Sequence, residues 1–236
     1  MLDGMSTDET ATICKNYPSV FLQKKDSGPA QAINRGMDLA TGDIVCWLNA
    51  DDAFFGVDTL KEVASIFDRF PEVQVVTGCG YYISEDGRLL EPIIPDFGKY
   101  ISERWLRRVD CFLQPATFWR RNTIRLDESL HYTFDWRLWL DFYRAGLNIL
   151  YVARYFSLYR LQPSGLTQQA TSSRKREIYK LIATSGSSNV QKIWCWIVWK
   201  TFVVGEVAHI RSVSRLANKV DSFLGAITGC RIQSGQ

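Results

Sequence analysis

The chain has 236 residues, 46% of them apolar and 22% charged, with a formal net charge of +3. That length suits one sizeable core or one domain with an appendage; the composition excludes disorder as the main state, and the charge is too small to select nucleic acid as a partner. Six cysteines, at 14, 46, 79, 111, 195 and 230, are too far apart for a metal-finger spacing. They fit small buried residues of a reducing compartment, so the expected location is the cytoplasm.

In chain order, Met1-Leu2 leaves two residues of strand before Asp3. Ser6-Thr7-Asp8, with Glu9 in the first turn, predicts a helix through Cys14 and Asn16. A short β-prone run at 19–23 leads to a turn at 24–29, and Ala32, Ile33, Gly36, Met37 and Ala40 then recur at helical spacing. The nearly continuous apolar run at 43–48 predicts a strand covered on both faces. A second amphipathic helix spans 57–70 up to Pro71, 73–79 is another buried strand, and 81–90 is a hairpin turning at Glu85-Asp86-Gly87. Pro92 and Pro95 interrupt the pattern, and 99–108 reads as a basic helix. Gln114 to Trp119 lies in strand or loop, 133–145 is a helix closed by Gly146, and 148–152 and 156–161 read as two strands. Strands alternating with helices predict an α/β domain with a mixed, mainly parallel sheet over 1–170 and a helical region over 171–236.

Asn49-Ala50-Asp51-Asp52 closes the 43–48 strand. Ligands of open α/β sheets bind beyond such ends. Adjacent carboxylates there repel each other and are satisfied by a cation or a hydrogen-bond donor, and Mg²⁺ or Mn²⁺ bridging to substrate phosphates meets that need. Asp51 is the first-choice ligand, and the competing structural reading is a pair that caps the next helix.

Three segments then fall in order: Asp3-Gly4-Met5-Ser6-Thr7-Asp8, the Asp26-to-Gly36 stretch that contains Asn34, and the run from Ala40 to Asp52. Leu113-Gln114-Pro115-Ala116, Phe134-Asp135-Trp136 and Tyr159-Arg160-Leu161 come after them. Together these resemble the inverting GT-A glycosyltransferases of family 2, over roughly residues 2–167. The resemblance implies a nucleotide-sugar donor, most simply a UDP-sugar, and a saccharide or lipid-linked acceptor. It implies that Asp3 contacts the uracil or its ribose, that Asp26, Asn34, Asn49, Asp51 and Asp52 surround the donor, and that Asp135 is the catalytic base. Gln114, Trp119 and Trp136 fall on the acceptor side, and Arg107, Arg108 and Arg120 lie near it. Asn49 stands where the metal motif usually opens with aspartate, and Gln162 where related sequences often carry a metal-binding histidine, so Gln162 would offer the metal an amide oxygen. The family also begins with a strand and helix before Asp3, so the chain resembles an N-terminally truncated member. A nucleotidyltransferase would need a basic, glycine-rich phosphate loop near the start, and none is visible.

Residues 188–236 carry six Lys/Arg against two Asp/Glu, a net +4, and open on a tryptophan-rich stretch from Lys192. Its uninterrupted apolar run, 193–199, is far short of the roughly 20 residues a span needs. The segment fits peripheral contact at the inner face of a membrane, or packing on the domain or a partner. The alternative to an enzyme is an inactive fragment that only binds nucleotide, membrane or partner.

Overall fold

In the computed structural model, described over residues 1–95, 103–107, 110–162 and 172–184, β1 (Leu2–Asp3) and β2 (Leu22–Gln23) pair in parallel as a small separate sheet. α1 (Thr10–Cys14) lies between them in sequence; Glu9 is its N-cap and not in its first turn, it stops before Asn16, and Thr10 N–H donates to Asp8 Oδ1 at 3.0 Å. The main sheet has the order β3 (Ile44–Val45), β7 (Thr117–Arg120), β5 (Val75–Ile83), β8 (Ile149–Arg160), β4 (Ala53–Phe54), with β6 (Leu89–Ile93) hairpinned onto β5. β7 runs antiparallel to both β3 and β5, while β8 runs parallel to β5. β3, β5 and β8 therefore point the same way, and their C-terminal ends gather at one edge.

The α/β class is as expected, but the main sheet is not mainly parallel: β5–β8 is the one parallel pair within it among the described residues. β7 inserts between the co-directional β3 and β5 and turns both of their pairings antiparallel. Apolar runs report burial, and they carry no signal for the direction of a neighbouring strand.

Alternate side chains of each strand enter two cores, as the period of two requires. Val45, Val75, Trp119 and Tyr151 face α2 (Pro29–Leu39) and α5 (Phe134–Arg144). Ile44, Val76, Phe118 and Phe156 face α3 (Thr59–Arg69), which contributes Val63 and Phe67. The first core centres on aromatic rings: Trp139 stacks on Trp47 at 5.7 Å and on Phe112 at 5.4 Å. Gly36 lets α2 lie against β1, since a Cβ there would meet Leu2 Cδ1 at 2.7 Å. Gly146, at φ 74°, takes the left-handed conformation that ends α5.

Several boundaries differ from the sequence expectation. The 43–48 run contributes two ladder residues on the edge of the sheet, and Leu48 is 38% exposed. The strands expected at 148–152 and 156–161 are one strand, β8, with register shifts opposite Cys79. Pro92 sits inside β6, opposite Tyr81, where its missing N–H costs no ladder bond on an outer strand. Of the basic helix at 99–108, α4 (Glu103–Leu106) is described. Met1–Ser185 forms one compact unit, and within it α6 (Ser172–Thr184) buries Leu181 and Ile182. α6 thus belongs to the same compact unit as the sheet, beyond the 170 boundary drawn from sequence. The second unit, Gly186–Gln236, and with it the tryptophan-rich stretch, lies outside the described residues. Among the described residues no helix is long and apolar enough to cross a membrane.

Candidate active site

The loop after β3 is tied down at the edge where β5 and β8 end. Arg160, the last residue of β8, is the hub. Its backbone N–H donates to Asp52 Oδ1 at 3.0 Å and its Nε to the Asp51 carbonyl at 2.9 Å. Its Nη1 donates to the Ser84 and Glu85 carbonyls at 2.9 and 2.7 Å, just past β5. Asn49 Nδ2 donates to Asp52 Oδ2 and to Gln114 Oε1, each at 3.0 Å, and Gln114 Nε2 donates to the Trp47 carbonyl at 2.7 Å. The buried Gln114 thereby ties the start of β7 to the end of β3.

This network treats the adjacent carboxylates differently. Both Asp52 oxygens are occupied, and the carboxyl is pushed up to about 6, first by burial, with the neighbouring charge of Asp51 adding to it. Asp51 is held by its backbone, and its carboxylate has no hydrogen-bond or ion-pair partner among the described residues. Gln162 lies two residues past Arg160, at the same edge. No cluster of three or more His, Cys, Asp or Glu side chains able to hold a metal occurs among the described residues.

The second carboxylate group sits at the entry of α5. Asp135 lies in its first turn and accepts from the Trp136 N–H at 2.7 Å. That bond and the helix dipole favour the charged form, but burial outweighs them and raises the carboxyl to about 6. Arg174 and Glu177, both on α6, act on it with opposite signs. Asp110 is also close: its carboxyl is pushed well above the usual carboxylate range, first by desolvation and then by the charge of Asp135. Asp110 and Gln114 are four residues apart on one segment, a reach of at most about 14 Å. That segment links the Asp51–Asp52 network to Asp135.

Asp3, at the end of β1, is buried and accepts from the Ser6 N–H at 2.9 Å, from the Ser6 hydroxyl, and from Gln23 Nε2 at 2.8 Å. The Ser6 hydroxyl, with Gln23 after it, holds the carboxyl below its ordinary range. Asp26 is ion-paired with Arg35 of α2.

Three expected site residues belong to the interior instead. Asn34 bonds Leu126 on both sides of its amide, at 2.8 and 2.9 Å, and donates to Glu128 at 3.0 Å, which leaves it no donor for a nucleotide. Trp119 is 2% exposed among Trp47, Trp139 and Phe142. Trp136 is 5% exposed and its indole N–H is taken by the Leu106 carbonyl. An aromatic ring suits a sugar face and a core equally well, so residue type alone could not separate the two. Arg120 likewise holds the end of α3, donating to the Val73 and Phe67 carbonyls at 3.0 and 2.8 Å. It lines a cleft of about 510 Å³ with Asp38, Asp43, Arg121 and Arg125, beside the beginning of β3 and so away from the carboxylate edge. Arg107 pairs with Glu103, and Arg108 lies outside the described residues. The thiol of Cys46 is pushed up to about 11 by burial, as for an unreactive interior cysteine.

Sequence reasoning passed over Arg160, Asp110, Arg174 and Glu177. Arg160 lies within the Tyr159-Arg160-Leu161 motif and was detectable. The other three gain meaning only from contacts far along the chain.

A family model described as glycosyl transferase family 2 matches residues 1–126. An uncharacterized glycosyltransferase of Rickettsia prowazekii is 29% identical over 157 residues, covering 61% of this chain and 48% of its own length. The match thus spans about half of that curated relative. Among solved structures, S. aureus TarS 1–349 in complex with UDP-GlcNAc is similar with a TM-score of 0.57 at 18% identity, over 81% of this chain and 59% of its own. Glucosyl-3-phosphoglycerate synthase of Mycobacterium tuberculosis, in complex with Mn²⁺, UDP-glucose and phosphoglyceric acid, gives 0.54 at 19% identity, over 80% and 68%. At these identities the two structures establish a shared fold.

Proposed function

Since the chain belongs to glycosyl transferase family 2, we propose that it transfers a sugar from a UDP-sugar to a saccharide or lipid-linked hydroxyl, with inversion and with Mg²⁺ or Mn²⁺ bound. The observation that carries this reading is the unequal treatment of two neighbouring carboxylates: Asp52 is bonded into the scaffold through both oxygens, while Asp51 is fixed by its backbone and its carboxylate has no partner among the described residues. That arrangement suits a donor diphosphate bound through a cation. Asp51, with the Gln162 amide oxygen, would hold the ion. Charge neutralisation on the departing diphosphate is what such an ion supplies when bound.

The rest of the chemistry falls to the chain. Asp3 and Asp26 lie at or just past the ends of β1 and β2 and would orient the uridine. Gln114 holds the Asn49 loop in register and would border the acceptor. Asp135 accepts the acceptor's hydroxyl proton as its oxygen bonds to the anomeric carbon from the face opposite the diphosphate. The bond from that carbon to the phosphate oxygen breaks, and UDP departs. A carboxyl raised to about 6 is a better base than an ordinary aspartate and is still mostly ionised at neutral pH.

UDP release from UDP-glucose and UDP-GlcNAc, with and without Mn²⁺, tests the reading on the full chain. Mn²⁺-dependent release is expected, falling by about 10²- to 10⁴-fold in Asp135→Asn while UDP still binds in a calorimeter. A chain that binds UDP and releases none from either donor is a binding protein. An Asp135→Asn variant as active as wild type takes the base role away from Asp135.

A further inference from the structure

Glu177 of α6 reaches the backbone that leads into α5. Its Oε1 accepts from the Tyr132 and Thr133 N–H groups at 2.7 Å each and from the Thr133 hydroxyl at 3.0 Å, and its Oε2 accepts from the His131 N–H at 2.9 Å. Three successive N–H groups converging on one carboxylate form an anion-holding concavity. The N-cap of α5, Thr133, caps no N–H with its own side chain. Glu177, 44 residues downstream of Thr133, takes up the N–H groups of the N-cap and of the two residues before it. Thr133 is only 4% exposed, so its N–H has little water to turn to. Asp135 begins two residues beyond the clamp.

We propose that Glu177 is a positioning residue for Asp135, fixing the 131–133 backbone and with it the first turn of α5 that aims the Asp135 carboxylate. The inference rests on the base role given to Asp135 above. It assigns part of the site to a helix that the sequence places in the appendage. The charged groups acting on Asp135 include Asp110, before β7, and Arg174 and Glu177, on one side of α6 at a spacing of three. Glu177 therefore orients Asp135 through the backbone and raises its proton affinity through charge, while Arg174 lowers that affinity.

The test tracks the Asp135 carboxyl by ¹³C NMR titration in the full chain, its signal assigned by its loss in Asp135→Asn, beside UDP release and calorimetric UDP binding with Mn²⁺. Glu177→Gln keeps an acceptor oxygen and removes the charge, so the Asp135 midpoint should fall below its wild-type value. Glu177→Ala removes the clamp, so turnover should fall about ten- to a hundredfold with UDP affinity unchanged. If Glu177→Ala does not fold, the Glu177→Gln midpoint decides. An unmoved midpoint, or UDP affinity lost in step with turnover, overturns the proposal. Should wild type release no UDP, the transfer reading fails by itself, and the titration still reports whether Glu177 governs Asp135.

Discussion

Asp52 and Asp135 have carboxyls raised to about the same value, near 6, by burial, yet the protein builds the two surroundings from different material. Around Asp52 the partners are strand ends and the loops beside them: Arg160, Asn49, and through Asn49 the buried Gln114. That surrounding is complete once β3, β5, β7 and β8 are in register. Around Asp135, beside Asp110, the charged groups Arg174 and Glu177 come from α6, which adds no strand to the sheet and stands at the far end of the described chain. In the proposed reaction the donor side would rest on the sheet edge, whereas the acceptor side would depend on a helix outside the sheet. Changes at the first should alter binding, and changes at the second should alter turnover.

Asp51→Ala gives the largest effect that separates them. With the open carboxylate gone, UDP affinity measured with Mn²⁺ should fall about a hundredfold or more, while affinity without metal and the Asp135 titration stay as in wild type. Equal affinity in the variant would remove Asp51 from the donor side. A smaller effect comes from pH. A base must be ionised to work, so turnover should rise about tenfold per pH unit up to about 6, the value burial gives Asp135, and level off above it. Arg174→Met should move that limb to higher pH, because the cation opposing protonation is lost. Asp52→Asn should leave the limb where it is. A limb that tracks Asp52 and ignores Arg174 would merge the two regions and break the comparison.

The carboxylate cluster at the sheet edge was legible in the sequence for a physical reason. Asn49, Asp51 and Asp52 come directly after an apolar run, and the end of such a strand is where ligands of α/β sheets collect. Asp135 was legible as an acidic residue opening an amphipathic helix, but its raised proton affinity was not. The helix-dipole argument points to a stabilised anion, and the burial that reverses it comes from packing that no local pattern records. Glu177 was illegible for the same reason, since a glutamate after Arg174-Lys175-Arg176 looks like one more charge on a solvated helix. The mixed sheet escaped because β7 inserts between β3 and β5 from more than seventy residues beyond β3.

Trp119 gives the smallest effect and tests how far the acceptor side extends. Its ring lies 5.7 Å from Trp47, 6.0 Å from Trp139 and 5.5 Å from Phe142, wholly inside the core shared by α2 and α5. Trp119→Phe leaves a void where the second ring was, a loss of about 1–3 kcal/mol. In a domain of this size that corresponds to a fall of roughly 2–12 °C in melting temperature. Among the described residues the indole makes no polar contact with the carboxylate network, so UDP-release turnover should stay within about twofold of wild type. Lower melting with intact turnover places Trp119 in the scaffold. Intact melting with lower turnover would return its ring to the acceptor side and show that the core beneath α5 opens during the reaction.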